Sequence, residues 1–213
     1  MNNTKNIVVL ASGGGTNLQA LIDAQNKGGL GNGKITCVIA SKADAYALTR
    51  AQNHGIKTRT LIRKDYSDIA AYSKDMRDAL IEEKADVIVY AGFMTILDEQ
   101  VCDAFDGKMV NVHPALIPSF CGKGYYGLHV HEQALKKGVK VSGATVHFVT
   151  AECDAGPIIL QKAVEVLDDD TPETLQKRIM EQAEWKILPK AVQLLCDDKI
   201  EIKNGKTYIK TEV

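Results

Sequence analysis

A chain of 213 residues is long enough to bury one sizeable core, and 26 basic residues almost cancel 27 acidic ones. That balance excludes a general electrostatic pull towards nucleic acid or anionic membrane, so an anionic ligand needs a local site. No apolar run reaches the length of a membrane span, and the polar start Met1-Asn2-Asn3-Thr4-Lys5 lacks a signal peptide's apolar stretch, so a cytoplasmic protein is expected.

Short apolar runs alternate with longer amphipathic stretches. The predicted order is strand Ile7–Ala11, helix Asn17–Asn26, strand Ile35–Ala40, helix Ala45–Asn53, strand Thr58–Ile62, helix Ser67–Glu83, strand Val87–Ala91, helix Leu97–Phe105 and strand Met109–Val112. Such alternation builds a parallel sheet whose strand ends share one edge, where α/β ligands sit. The pattern changes after Pro114. Val141–Val149 and Ile158–Val166 read as an antiparallel pair, because the connection between them is short. A long helix from about Pro172 to Cys196 follows, with Thr171 as its cap and Pro172 at its first position. Pro189 is expected to kink or divide it. A hairpin around Asn204-Gly205 closes the chain at about residues 200–210. The expected architecture is one Rossmann-like, three-layer α/β domain over residues 1–213, mostly parallel with an antiparallel C-terminal portion.

Ser12-Gly13-Gly14-Gly15-Thr16-Asn17 joins the first strand to the first helix. Glycines there let backbone N–H groups close on an anion at a helix start, and Thr16 and Asn17 add hydrogen-bonding groups; a phosphate is the expected occupant. The turn lacks the last glycine of a dinucleotide fingerprint (Leu18 stands there) and the Lys-Ser/Thr of a P-loop.

Asn111-Val112-His113-Pro114 ends a predicted strand on the same edge, and Asp154-Ala155-Gly156-Pro157 lies in the turn between the two later strands. An amide can grip a carbonyl oxygen, an imidazole can manage its developing charge, and a carboxylate can hold the imidazole protonated or accept a proton. Together they point to group transfer at a carbonyl carbon. The nearby carboxylate is expected to raise the pKa of His113 and favour imidazolium. His147 is expected to face the site as a supporting partner. The five cysteines, Cys37, Cys102, Cys121, Cys153 and Cys196, form no Cys-x-x-Cys pair and read as free thiols; with no zinc-type spacing, no metal is expected.

These motifs, together with Ala91-Gly92-Phe93-Met94 and His147-Phe148-Val149-Thr150, resemble the phosphoribosylglycinamide formyltransferases of the folate-dependent formyltransferase family, from about Asn6 to Lys199. The resemblance implies the formyltransferase fold and direct transfer of formyl, through a tetrahedral intermediate, from 10-formyltetrahydrofolate to the amine of 5-phosphoribosylglycinamide in purine biosynthesis. It implies a catalytic trio of Asn111, His113 and Asp154. Gly15, Thr16 and Asn17 match the positions that hold the substrate phosphate. Glu184 matches an acid on the ribose, provided the long helix carries one extra residue before it. Met94, Thr95, Ile96 and Leu97, with Asn111 and Thr150, Ala151, Glu152, Cys153 and Asp154, match the folate-binding segments.

The chain departs from the family pattern at three places. Thr95 stands where arginine is common, Trp185 follows Glu184 where histidine is common, and the loop Ser119–Tyr126 is longer than usual. That loop is expected to act as a lid, with Lys123 near an anionic ligand. Two other outcomes stay open on these residues. One is hydrolysis of formyltetrahydrofolate, whose family normally carries an N-terminal regulatory domain for which the early first strand leaves no room. The other is a non-catalytic folate- or phosphate-binding module. Methionyl-tRNA formylation would call for an added C-terminal domain or a basic surface, and neither signal is present.

Overall fold

The structure is a computed structural model and describes residues 4–210. The first residues of the polar start, Met1-Asn2-Asn3, lie outside the described residues. Four strand–helix units come first: β1 Lys5–Ala11 and α1 Thr16–Asn26, β2 Gly33–Ala40 and α2 Tyr46–Asn53, β3 Lys57–Thr60 and α3 Ile69–Glu82, then β4 Val87–Tyr90 and α4 Glu99–Ala104. Strand β5, Met109–His113, ends the parallel part, and α5, Leu128–Lys137, leads to β6, Val141–Phe148, and β7, Ile158–Glu165.

The seven strands form one sheet in the order β3-β2-β1-β4-β5-β6-β7. The first five run parallel, and β6 and β7 are antiparallel to their neighbours. Chain order reverses between β1 and β4, which makes the mouth above their carboxyl ends the switch point where α/β ligands settle. The alternation of β1 divides the interior. Ile7, Val9 and Ala11 join a core with α1 and the C-terminal helix, whereas Val8 and Leu10 join a second core with α3 and α4.

Boundaries follow local chemistry. Helix α3 starts at Ile69 because the Asp68 carboxylate accepts from the Ala71 N–H, and α4 is held to Glu99–Ala104 by the same device at Asp98. The long C-terminal helix begins as expected with Thr171 as its cap and Pro172 in its first turn, and Thr174 completes a capping box. Its interruption, however, is a π turn at Met180–Glu184 between α6, Pro172–Ile179, and α7, Trp185–Cys196. Pro189 sits inside α7, where it has no N–H to give the Trp185 carbonyl four residues back, and the π turn ends just before Trp185. A π turn holds one more residue than an α turn, and this one ends at Glu184. The tail hairpin is β8, Ile200–Lys203, and β9, Lys206–Ile209, with Asn204 and Gly205 both at positive φ.

Candidate active site

The glycine turn leaves β1 at the switch point. Gly15 has φ 70°, and a Cβ there would meet Ala47 at 2.8 Å, so its lack of a side chain is required by both backbone and packing. Sequence reasoning gave no role to Arg50, which stands over the turn: its Nε donates to the Gly14 carbonyl at 2.8 Å and an Nη to Gln19. The Ser12 hydroxyl is 2.7 Å from that of Ser41 and accepts the Met94 N–H at 3.0 Å, which ties the turn to the 94–97 segment.

Asn17, at the start of α1, donates through Nδ2 to a Glu184 carboxylate oxygen at 2.7 Å. Both side chains are buried, and Asn17 Oδ1 has no partner. Burial pushes Glu184 up to about 7, against the opposing effect of the Asn17 hydrogen bond. Thr16 places its hydroxyl 3.8 Å from the Met180 sulfur. Gly15, Thr16, Asn17 and Glu184 therefore meet at one place, although Glu184 comes from the far end of the chain.

Asn111 and His113 lie two apart on β5, and β6 presents His147 opposite Asn111. His147 donates from Nδ1 to the Phe148 carbonyl at 2.7 Å, which leaves Nε2 to accept from Asn111 Nδ2 at 3.2 Å. One N–H of the Asn111 amide is thus spent on His147, and the other remains for a ligand oxygen. Asp154, at φ 56° in the β6–β7 connection, brings its carboxylate to 3.5 Å from both His113 Nδ1 and His147 Nε2. It also accepts the Gly122 N–H at 2.9 Å. Burial works to raise the pKa of Asp154, but His147, His113 and the Gly122 N–H together outweigh it and hold the acid at about 2.

His113 departs from expectation. Burial lowers its pKa below the usual 6.5 and outweighs the pull of Asp154 in the other direction. Burial therefore favours the uncharged ring over the expected imidazolium. Its Nε2 lies 2.8 Å from the Phe120 carbonyl. The longer loop thus reaches the trio twice, through Phe120 to His113 and through Gly122 to Asp154. Residue type gives no hint of these contacts, because both are made by backbone atoms.

The folate-matching segments lie on the same edge. Phe93 and Leu97 are buried, and Val149, just before Thr150, packs against their cluster. Met94 and Ile96 remain exposed at 52% and 57%, an apolar surface suited to the face of a flat heterocycle. Thr95 is half-buried close to the Tyr72 hydroxyl. Thr150 turns back on its own loop, its hydroxyl donating to the Glu152 carbonyl, and Ala151, Glu152 and Cys153 continue that loop to Asp154. Of the other histidines, His129 pairs with Glu132, His54 lies 3.5 Å from Gln19, and His131, within electrostatic range of His113, is buried with neither ring nitrogen bonded. Among the described residues, no group of three or more His, Cys, Asp or Glu is placed to hold a metal ion, and no helix is long and apolar enough to cross a membrane.

Comparison with known proteins shows the family and the fold. A family profile described as formyl transferase matches residues 5–192. The chain is 38% identical over 204 residues to the phosphoribosylglycinamide formyltransferase of Escherichia coli (strain K12), covering 96% of this chain and 93% of that protein. It is 42% identical over 207 residues to the trifunctional purine biosynthetic protein adenosine-3 of Bos taurus, covering 97% of this chain but only 20% of that much longer protein. In structure it superimposes with a TM-score of 0.92 on glycinamide ribonucleotide transformylase 1 from Symbiobacterium toebii, at 38% identity, covering 98% of this chain and 95% of that one.

Proposed function

The chain belongs to the formyl transferase family, and we propose that it transfers the formyl group of 10-formyltetrahydrofolate to the amine of 5-phosphoribosylglycinamide, the whole chain acting as one cytoplasmic formyltransferase domain. The observation that carries this reading is the convergence of Asn111, His113 and Asp154 beside the glycine turn, on one sheet edge. Identity over nearly the full length of a relative named for that reaction supports it. The near-neutral net charge supports small-molecule substrates rather than nucleic acid.

The glycine turn and α1 N-terminus, with Thr16 and Asn17, receive the phosphate, and Glu184 receives the ribose. Met94, Ile96 and Leu97 hold the pterin from one side and the Thr150–Asp154 loop from the other. The folate supplies the activated formyl carbon. The spare Asn111 N–H donates to the formyl oxygen as negative charge grows there, a contribution worth roughly 100- to 1,000-fold in rate. His113, whose pKa burial lowers, takes up a proton as the amine attacks, and the resulting imidazolium is stabilised by the ionised Asp154 beside it. His147 anchors Asn111 so that its amide keeps this direction.

The test is conversion of 10-formyltetrahydrofolate to tetrahydrofolate, with and without 5-phosphoribosylglycinamide. Acceptor-dependent conversion with formylated product identified by mass is expected. Equal conversion without acceptor would make the protein a hydrolase, and binding of both ligands without conversion would make it a binding module.

A further inference from the structure

Two of the five cysteines flank the hydrogen bond that closes the long loop onto Asp154. The Gly122 N–H donates to Asp154 at 2.9 Å, Cys121 immediately precedes Gly122, and Cys153 immediately precedes Asp154. Both thiols are free and partly exposed, whereas Cys37, Cys102 and Cys196 are buried. Cys121 is held in place by its S–H contact to the Pro118 carbonyl at 3.3 Å. Each thiol feels the Asp154 charge, and Cys153 also feels Cys121, so the two lie within electrostatic range of one another.

We propose that Cys121 and Cys153 are a reversible dithiol–disulfide pair that clamps the 119–127 loop over Asp154 and stops turnover. The oxidant is a small peroxide. One thiolate attacks the peroxide O–O bond, becoming a sulfenic acid and releasing hydroxide, which is protonated to water. The second thiolate then displaces hydroxide from that sulfur, and a second water leaves as the S–S bond forms. Two electrons pass from the cysteines to the peroxide, and a dithiol returns them. Transient disulfides of this kind are the type found in reducing compartments.

The consequence for activity rests on the proposed function. With the loop closed, the Phe120 carbonyl engages His113 Nε2 while Asp154 faces Nδ1. With Nε2 held by Phe120 and Nδ1 turned to Asp154, the ring presents no open nitrogen to a reacting group, so His113 works only when the loop moves. A disulfide between the loops forbids that movement. At rest the pair is slow to oxidise, because burial first, and the Asp154 charge second, raise both thiols, Cys153 to about 11.

The experiment treats reduced protein with hydrogen peroxide, blocks residual thiols with an alkylating agent and maps the digest by mass. The expected result is a Cys121–Cys153 cross-link, reversed by dithiothreitol and absent in Cys121→Ser. Trypsin cleavage after Lys123 should slow in the cross-linked protein, and formyl transfer should fall by about ten-fold or more in step with the cross-linked fraction. Cys121→Ser should keep its basal activity and resist peroxide. Separate oxidation of the two thiols, or no oxidation, overturns the pair, and a cross-link that leaves both trypsin cleavage and turnover unchanged overturns the clamp. The cross-link and the proteolysis do not involve formyl transfer, so their failure is distinct from failure of the proposed activity.

Discussion

Asn17 and Glu184 meet at 2.7 Å across 167 positions of sequence, one at the first turn of α1 and the other at the end of the π turn. The pair is asymmetric. Asn17 gives its N–H to the carboxylate, while its own Oδ1 is buried without a partner. An unpaired buried amide oxygen costs about 1–3 kcal/mol, which a ligand hydroxyl relieves by donating to it. That is the chemistry of a sugar, and it supports the proposed place of the ribose beside the glycine turn.

Glu184→Gln tests this pair through pH. The folded carboxyl is raised from 4.5 to about 7 by burial, so the fold favours its neutral form. Stability from this preference is complete below about pH 4.5, declines as pH rises towards 7 and is gone above it. Glutamine keeps the shape without the charge. The stability of Glu184→Gln relative to the native protein should therefore improve by about 2–3 kcal/mol between pH 5 and pH 8. Denaturant melts at the two pH values measure it, and a gap independent of pH would refute the assigned environment.

His113 and Asp154 are separated by their pH behaviour. The pKa of His113 lies below 6.5 because burial outweighs Asp154, and the proposed proton acceptor is the uncharged imidazole. The acid limb of kcat/KM should therefore fall below pH 6.5. Asp154→Asn removes the attraction that raises His113, so it should push the limb lower still while cutting kcat. His113→Ala should lower kcat by roughly 100- to 10,000-fold with ligand affinity largely retained. A limb above pH 6.5 in the native enzyme would restore the imidazolium reading.

The parallel half of the fold was legible because β1, β2, β4 and β5 are short apolar runs and most of its helices are longer amphipathic ones; the edge strand β3, Lys57-Thr58-Arg59-Thr60, carries no apolar residue and begins and ends before the expected Thr58–Ile62. The cap at Thr171 and the Asn204-Gly205 turn were readable for a similar reason, since local backbone chemistry selects those residues. The π turn was not, because Pro189, inside α7 and beyond the turn, signals a break without locating it. Asn111, His113 and Asp154 were visible as residue types on a predicted edge. The protonation state of His113 depends on how completely it is buried, which spacing does not encode. Phe120 and Gly122 act through backbone groups that every residue carries, and Arg50 reaches the glycine turn from a neighbouring helix.

Gly15→Ala should damage the phosphate site selectively. At φ 70° an L-residue is strained by about 1–2 kcal/mol, and the added Cβ would stand 2.8 Å from both Cα and Cβ of Ala47. The turn must open, which spoils the alignment of its N–H groups. The KM for 5-phosphoribosylglycinamide should rise about ten-fold or more, with kcat less affected. Gly13→Ala is the control, because an added Cβ there meets nothing within 4 Å. Equal effects of the two substitutions on KM would mean that the turn serves the fold rather than the ligand.

Asp170 and Arg178 fix the position of α6, and through it the π turn that carries Glu184. The guanidinium spans both carboxylate oxygens, at 2.5 and 2.6 Å, while the Leu167 N–H and the Thr174 hydroxyl complete the acceptor set at 2.8 Å each. The Asp170 side chain is only 1% exposed. Arg178, first among these partners, holds Asp170 well below the usual carboxylate range. Removing the arginine strands a covered charge, which in a deep interior costs roughly 3–5 kcal/mol; this carboxylate lies near the surface, so about 2 kcal/mol is expected for Arg178→Ala at pH 7. Because the folded pKa is depressed, the stabilisation is present above the ordinary value of 3.8 and is lost as pH falls through the folded value. The gap between native protein and Arg178→Ala in denaturant melts should accordingly narrow from pH 7 to pH 3. Arg178→Lys, which keeps the charge but not the two-pronged contact, should fall between them. A gap that stays constant with pH would assign the loss to side-chain packing instead of the ion pair.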